Sequence, residues 1–216
     1  MSNTINVAIC APFRLYFSEN EEKRVLSLVT ERFGAAEGER IASINNKSSR
    51  LLSLGALCSL SALLGESDYK IERSKTGKPY FTDVSKGCFS LAHAGELAVA
   101  VFAESEIGID IELISDNRGF CNIAKRFFTL SELTGFEASG KRVESFFEIW
   151  TKKEAYVKYC GKTFVDLYSQ DPRDVVFESF LIGFGRENYV MTICSKKKNK
   201  IVTKLLDEDV KIIEGE

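Results

Sequence analysis

Asp110, Glu112, Glu154 and Lys158 are the residues best suited to chemistry. The first two lie in Gly108-Ile109-Asp110-Ile111-Glu112-Leu113. In an extended strand, side chains alternate between faces, so Ile109, Ile111 and Leu113 point one way and Asp110 and Glu112 the other. Two neighbouring carboxylates repel, and burying them unpaired is costly or shifts their pKa. A positive partner is expected opposite them, most simply a divalent cation held by oxygen ligands. Glu154 and Lys158 belong to Val143–Tyr159, where Phe147, Trp150, Glu154, Val157 and Lys158 recur at spacings of three and four. A carboxylate on that stripe has two readings. One is an exposed i,i+4 pair with Lys158, worth about 0.3–0.5 kcal/mol. The other is a third oxygen ligand facing the strand, as in a Mg²⁺ site that keeps waters and takes substrate phosphates.

The elements that must position these groups are legible from periodicity. Ile5–Cys10 reads as a first strand. Ser18 and Glu21 have the spacing of a capping box, opening a helix to about Phe33, with Gly34 as its stop. A short helix is predicted over Gly38–Ser43. Lys47–Leu64 is the strongest helical pattern, with Leu51, Leu54, Leu57, Leu60 and Leu64 on one face. Its interior Gly55 predicts close packing there. Ile71–Arg73 reads as a short strand, followed by a turn over Ser74–Gly77. Cys88–His93 and Leu97–Phe102 form a predicted hairpin, and Ile107–Leu113 is the carboxylate strand. Helices are expected at Asn122–Phe128 and Ser131–Ala138, capped by Thr129 or Ser131, and at Val143–Tyr159, ending at Gly161. Val175–Phe180, Tyr189–Ile193 and Ile201–Leu205 read as strands. Lys196–Lys200 reads as a solvated turn.

The totals bound the class. The chain has 216 residues, 44% of them hydrophobic and 28% charged, and a net charge of −2. That charge supplies no global basic field for nucleic acid or an anionic membrane. Six widely spaced cysteines, without a C-x-x-C or a Cys/His cluster, argue against zinc and a dense disulfide framework. They read as reduced, partly buried thiols. MSNTINVAIC lacks the features of a signal peptide, and no apolar run approaches a membrane span, so a cytoplasmic protein is expected.

Gly108-Ile-Asp-Ile-Glu112 followed by Trp150-Thr-Lys-Lys-Glu-Ala-Tyr-Val-Lys158 closely resembles the two signature motifs of 4′-phosphopantetheinyl transferases, G-[IV]-D-[IVL]-E and W-[ST]-x-K-E-[AS]-x-x-K. The resemblance extends to Gly77-Lys78-Pro79-Tyr80, to Phe89-Ser-Leu-Ala-His93 and to Gly161-Lys162, spanning roughly residues 40–165. The length resembles the larger, single-chain, surfactin-synthetase-activating type. The resemblance implies an α+β fold of two similar-sized α/β halves in a pseudo-duplicated arrangement. The first, residues 1–104, would carry coenzyme A contacts, and the second, residues 105–216, the metal site and carrier-protein contacts. It implies Mg²⁺-dependent transfer of the 4′-phosphopantetheine group of coenzyme A to a serine of an apo acyl or peptidyl carrier protein. Adenosine 3′,5′-bisphosphate is released.

Residue by residue, the resemblance makes Asp110, Glu112 and Glu154 metal ligands. Glu154 also matches the base proposed in some members, and Lys158 a group that steadies the pyrophosphate or protonates the leaving group. Lys153 matches a motif-supporting lysine with substrate contact. His93, the only histidine in the chain, matches a contact to the 3′-phosphate of coenzyme A, although a lone histidine on a strand is more often structural. Ala92 stands where the family has a serine, so that hydroxyl contact is lost. Lys78 and Arg50 match basic coenzyme A contacts, with Arg40 and Lys47 as weaker candidates. Lys125-Arg126-Phe127-Phe128-Thr129 resembles the carrier-contacting segment. With both halves of the site in one chain, a monomer is expected. Two other readings compete: a Mg²⁺-dependent nuclease, disfavoured by the net charge, and a non-catalytic protein binding coenzyme A or a carrier.

Overall fold

The computed structural model of the protein describes residues 4–12, 18–66, 68–116, 119–163, 165 and 171–215. Residues 1–3, which open the N-terminal stretch considered above, lie outside that set. The elements in order are β1 (Thr4–Cys10), α1 (Glu19–Phe33), α2 (Ala35–Ala42), α3 (Lys47–Leu63), β2 (Ile71–Arg73), β3 (Pro79–Phe81), β4 (Cys88–Ala94) and β5 (Leu97–Ala103). They continue with β6 (Ile107–Leu113), α4 (Phe120–Phe127), α5 (Leu130–Ala138), α6 (Val143–Cys160), β7 (Val176–Phe184), β8 (Glu187–Ser195), β9 (Lys200–Leu205) and β10 (Val210–Gly215). The fold is α+β.

Local chemistry explains most boundaries. Ser18 and Glu21 form the capping box of α1, the hydroxyl accepting from Glu21 N–H while the carboxylate accepts from Ser18 N–H. Asn46 Oδ1 accepts from Ser49 N–H and starts α3. Of the two candidate caps for α5, Thr129 is the one used, in a second capping box with Glu132. Helix α2 starts at Ala35, three residues earlier than its apolar pattern suggests. Gly161 ends α6 in the left-handed region, at φ 62°, where a side chain would be strained. Gly55 lies against Pro12 and Ala98, whose side-chain carbons would sit 2.7 and 3.2 Å from a Cβ there. β10 had no clear signal in the sequence. Its Lys211, Ile212, Ile213 and Glu214 are all exposed, so it lacks the alternation of a half-buried strand.

The strands form two four-stranded sheets, ordered β4-β5-β1-β9 and β10-β7-β8-β6, with β2 and β3 as a separate ribbon. The topology repeats. In each half a strand, a run of helices and a hairpin follow in sequence, and the three strands lie in the same order, β4-β5-β1 and β7-β8-β6. All these pairings are antiparallel. β9 then returns to the first sheet and pairs parallel with β1, Ile5 opposite Ile201. Val7, Ile9, Val99 and Val101 of the first sheet share one core with Ile107, Ile109, Ile111, Met191 and Ile193 of the second. The helices α1–α3 cover the other side of the first sheet, with Phe33, Leu54 and Leu57 packed in one cluster with Phe89 of β4. Aromatic residues of α4–α6, Phe128, Phe136, Phe146 and Phe147, form a separate cluster in the second half.

Candidate functional site

β6 is the inner edge of its sheet, and its two faces do different work. Ile107, Ile109 and Ile111 enter the shared core, while Gly108, Asp110 and Glu112 face α6. At Gly108 a Cβ would lie 2.0 Å from the Ala155 carbonyl oxygen and 2.6 Å from Tyr159 N. The absent side chain is what lets the helix lie directly on the strand. Trp150 Nε1–H donates to Glu112 Oε1 at 3.2 Å and Lys158 Nζ to Asp110 Oδ1 at 2.7 Å. Behind them the buried Thr151 and Thr192 hydroxyls meet at 2.7 Å, tying α6 to β8. The alternation expected for the strand and the stripe expected for the helix therefore meet face to face.

The electrostatics are those of an acidic floor short of positive charge. Asp110 is 6% exposed, and its Oδ2 has no hydrogen-bond partner among the described residues. Burial raises its carboxyl above the usual carboxylate range, opposed by the Lys158 ammonium. Glu154 is pushed up to about 7, first by burial and then by the negative charge of Asp110, with Lys158 opposing and Glu112 adding a smaller push. Among the described residues no three carboxylate, thiol or imidazole side chains are already gathered as a metal centre. The Lys158 ammonium occupies one Asp110 oxygen instead. The donors offered are oxygens only, which suits a hard cation such as Mg²⁺.

A cleft of about 380 Å³, reached from these carboxylates through Lys158, opens between the two halves. Its walls carry Arg40 of α2, Arg73 and Lys78 flanking the β2–β3 turn, His93 of β4, and Lys158 and Lys162 at the end of α6. β4 and β6 run side by side here, joined by Ile109 N–H donating to Ser90 Oγ at 3.2 Å. Thr76 Oγ1 donates to Gly161 O at 2.8 Å, and Lys78 Nζ to Tyr159 O at 3.0 Å and Glu106 Oε2 at 2.5 Å. The β2–β3 turn therefore caps the C-terminal end of α6. His93 opens to the cleft. Partial desolvation, then the charges of Lys158 and Arg40, hold its imidazole below the usual value, so it is neutral near pH 7.

Several residues singled out by sequence lie elsewhere. Arg50 Nε donates to Glu22 at 2.5 Å and Nη1 to Ile44 O at 2.7 Å, tying α3 to α1 outside the cleft. Lys153 is 3% exposed, with its ammonium 2.7 Å from Glu132 of α5. Phe128 is buried and stacks on Phe146, with ring centroids 5.4 Å apart. Phe127 is half-buried against Trp150, beside exposed Lys125, Arg126 and Leu130. Sequence reasoning missed Arg73 and Glu37. Glu37 is 3% exposed and bonds both Arg40 and Arg73. Its signal was present: in a short helix Glu37 falls four residues before buried Ile41, an acid on the apolar face.

The comparisons with known proteins point to one family. Residues 106–202 match the family model of the 4′-phosphopantetheinyl transferase superfamily. A 4′-phosphopantetheinyl transferase of Escherichia coli (strain K12), AcpT, is 35% identical over 123 residues, covering 55% of this chain and 62% of that protein. The gsp transferase of Aneurinibacillus migulanus is 37% identical over 93 residues, 42% of this chain and 37% of that protein. A putative 4′-phosphopantetheinyl transferase of Synechocystis sp. is 34% identical over 91 residues, 40% and 37% of the two chains. The matches thus span between about a third and three fifths of those relatives. The matched residues contain β6, α6 and the carboxylates between them, so the part of the chain that carries the candidate site is similar to the 4′-phosphopantetheinyl transferase superfamily.

Proposed function

We propose that this protein transfers the 4′-phosphopantetheine group of coenzyme A to a serine hydroxyl of an apo carrier protein, releasing adenosine 3′,5′-bisphosphate. The observation that carries the reading is the cleft itself. Its basic walls carry Arg40, Arg73, Lys78 and Lys162, and Lys158, which also lines it, joins them to the acidic group of Asp110 and Glu154. Acidic groups alone would repel a polyphosphate, and basic groups alone would bind it without activating it. Their junction suits a molecule cleaved at its pyrophosphate.

Asp110, Glu112 and Glu154 would hold Mg²⁺. The partnerless Oδ2 of Asp110 and the raised carboxyl of Glu154 are the features that fit it. Held there, Mg²⁺ would supply charge neutralisation for the pyrophosphate. Lys158 brings its own ammonium to that floor and steadies or protonates the phosphate that leaves. Glu154, once ionised, is suited to accept the proton of the attacking serine. The serine oxygen bonds to the β-phosphorus as the pyrophosphate P–O bond breaks. The exposed Lys125, Arg126 and Leu130 with Phe127 suit an acidic, amphipathic carrier helix. The reading includes a cytoplasmic monomer of the larger single-chain type.

Incubation with coenzyme A, Mg²⁺ and a panel of apo carrier proteins, followed by mass spectrometry of the carriers, tests this directly. The expected result is a carrier gaining one phosphopantetheine, with chelation of Mg²⁺ abolishing the gain. An unmodified panel overturns the proposal.

A further inference from the structure

The hairpin of β4 and β5 belongs to the first sheet, yet two of its contacts tie it to the second half. At its middle the buried Ser90 Oγ accepts from Ile109 N–H at 3.2 Å, on the strand position just before Asp110. At its tip the turn over Gly95 and Glu96 rests on Tyr189 of β8, whose hydroxyl accepts from Glu96 N–H at 3.3 Å. The same hydroxyl gives its proton to Glu187 Oε2 at 2.7 Å, which leaves its oxygen free to accept from the hairpin. Gly95 has φ 54°, and a Cβ there would lie 2.6 Å from the Tyr189 oxygen and 3.0 Å from its ring. The turn sits directly on the phenol. His93 lies between the two tied points and lines the cleft together with Lys158.

Tyr189 is 0% exposed and shares the central core with Ala92 and Leu97 of the hairpin and Ile111 of β6. In the register of β8 on β6 it stands opposite Leu113, so its own position is tied to the carboxylate strand. A phenylalanine ring would fill the same core space without desolvating a hydroxyl. What the hydroxyl adds is direction. Apolar packing is non-directional and leaves the hairpin tip free to slide over β8, whereas a hydrogen bond to Glu96 N–H fixes the tip at one place. A slide of the tip would move His93 relative to Lys158, which is itself held from the other side by Asp110 at 2.7 Å.

We infer, on the functional reading above in which His93 meets coenzyme A, that Tyr189 is a positioning residue for the transfer: its hydroxyl anchors the tip of the β4–β5 hairpin on the second half and so fixes where His93 stands against Lys158. Tyr189 does not line the cleft and acts only through the hairpin. Asp110 and Glu112 keep their own contacts, to Lys158 and Trp150, when that hydroxyl is removed. Its loss therefore weakens the hold on coenzyme A and spares the chemical step.

His93 is the only histidine in the chain, so its imidazole gives a single NMR signal that reports on the hairpin directly. In the parent protein that signal should titrate below the usual histidine value, through desolvation and the charges of Lys158 and Arg40. Tyr189→Phe should shift the signal and move its midpoint back toward the usual value. Calorimetry should show about three- to tenfold weaker binding of coenzyme A, the loss expected for one hydrogen bond. At saturating coenzyme A, kcat should stay within about twofold of the parent. Gly95→Ala crowds the same contact from the hairpin side and should also shift the signal, which keeps the test decisive if Tyr189→Phe does not fold. Val25→Ala, in the cluster under α1–α3, controls for a general loss of stability and should leave signal and affinity unchanged. A folded Tyr189→Phe protein with the parent's signal overturns the positioning role, as does a shift that Val25→Ala reproduces or a kcat that falls as far as the affinity. A shifted signal with unchanged affinity overturns the role in binding and leaves the transferase reading intact. A parent protein that binds no coenzyme A overturns both.

Discussion

At the scale of single residues, Glu154 sits in an environment that departs far from what its type would suggest. Burial and the charge of Asp110 hold its carboxyl near 7 instead of 4.5. Between those values the folded chain binds more protons than the unfolded one, so this group makes stability fall as pH rises. Without added metal, Glu154→Gln should match the parent in stability below about pH 4 and exceed it by roughly 1–3 kcal/mol at pH 8. Denaturant melts at both pH values check this, and a difference that does not change with pH would refute it. Mg²⁺ needs the ionised carboxylate, so its apparent affinity should weaken as pH drops below about 7. Asp110→Ala removes a carboxylate proposed to hold Mg²⁺ and the partner of Lys158. Transfer to carrier serine should fall about 100-fold or more, and a fully active variant would sink the metal-ligand assignment.

Among the elements, the contact of α6 with β6 matters most to the site. It depends on a missing side chain. A Cβ on Gly108 meets backbone atoms of α6 on both sides of the turn, Ala155 O and Tyr159 N, and no rotamer change can relieve that clash. Gly108→Ala should therefore lift the helix from the strand and cost about 1–3 kcal/mol of stability, together with loss of the Lys158–Asp110 contact. A thermal melt paired with the transfer assay measures both effects. An unchanged melting temperature would mean that the helix has more room than its packing suggests. The β2–β3 turn acts from the other end, through Thr76 and Lys78 on the last carbonyls at the end of α6, so the cleft wall and that helix are mechanically joined.

For the molecule as a whole, the two repeats are coupled in a way that their order along the chain conceals. β9 follows both hairpins but completes the first sheet, in parallel register with β1. The inner faces of both sheets form one core. Tyr189 of β8 is fully buried, its hydroxyl accepting from Glu96 N–H at the β4–β5 turn and donating to Glu187. Chains that share strands and core in this way unfold together. Calorimetry should show a single transition whose van't Hoff and calorimetric enthalpies agree. Two resolved transitions would mean that residues 1–104 and 105–216 fold as separate units.

The sequence by itself determined what depends on short-range order. The capping box at Ser18, the stop at Gly161, the leucine face of α3 and the alternation of β6 all follow from residues within a turn or two of each other. Both halves of the acidic floor were legible for the same reason, since Asp110, Glu112, Glu154 and Lys158 each fall on a face fixed by local periodicity. The tertiary structure decided everything that requires distant residues to meet. Arg50 faces Glu22 and not the cleft, because α1 packs across the start of α3. Lys153 is buried on Glu132 because α5 folds back onto α6. Arg73 enters the cleft only because Glu37, 36 residues away, is buried where both arginines can reach it. Periodicity reports which face a side chain occupies, but the identity of the partner on that face is set by how the two repeats close on each other.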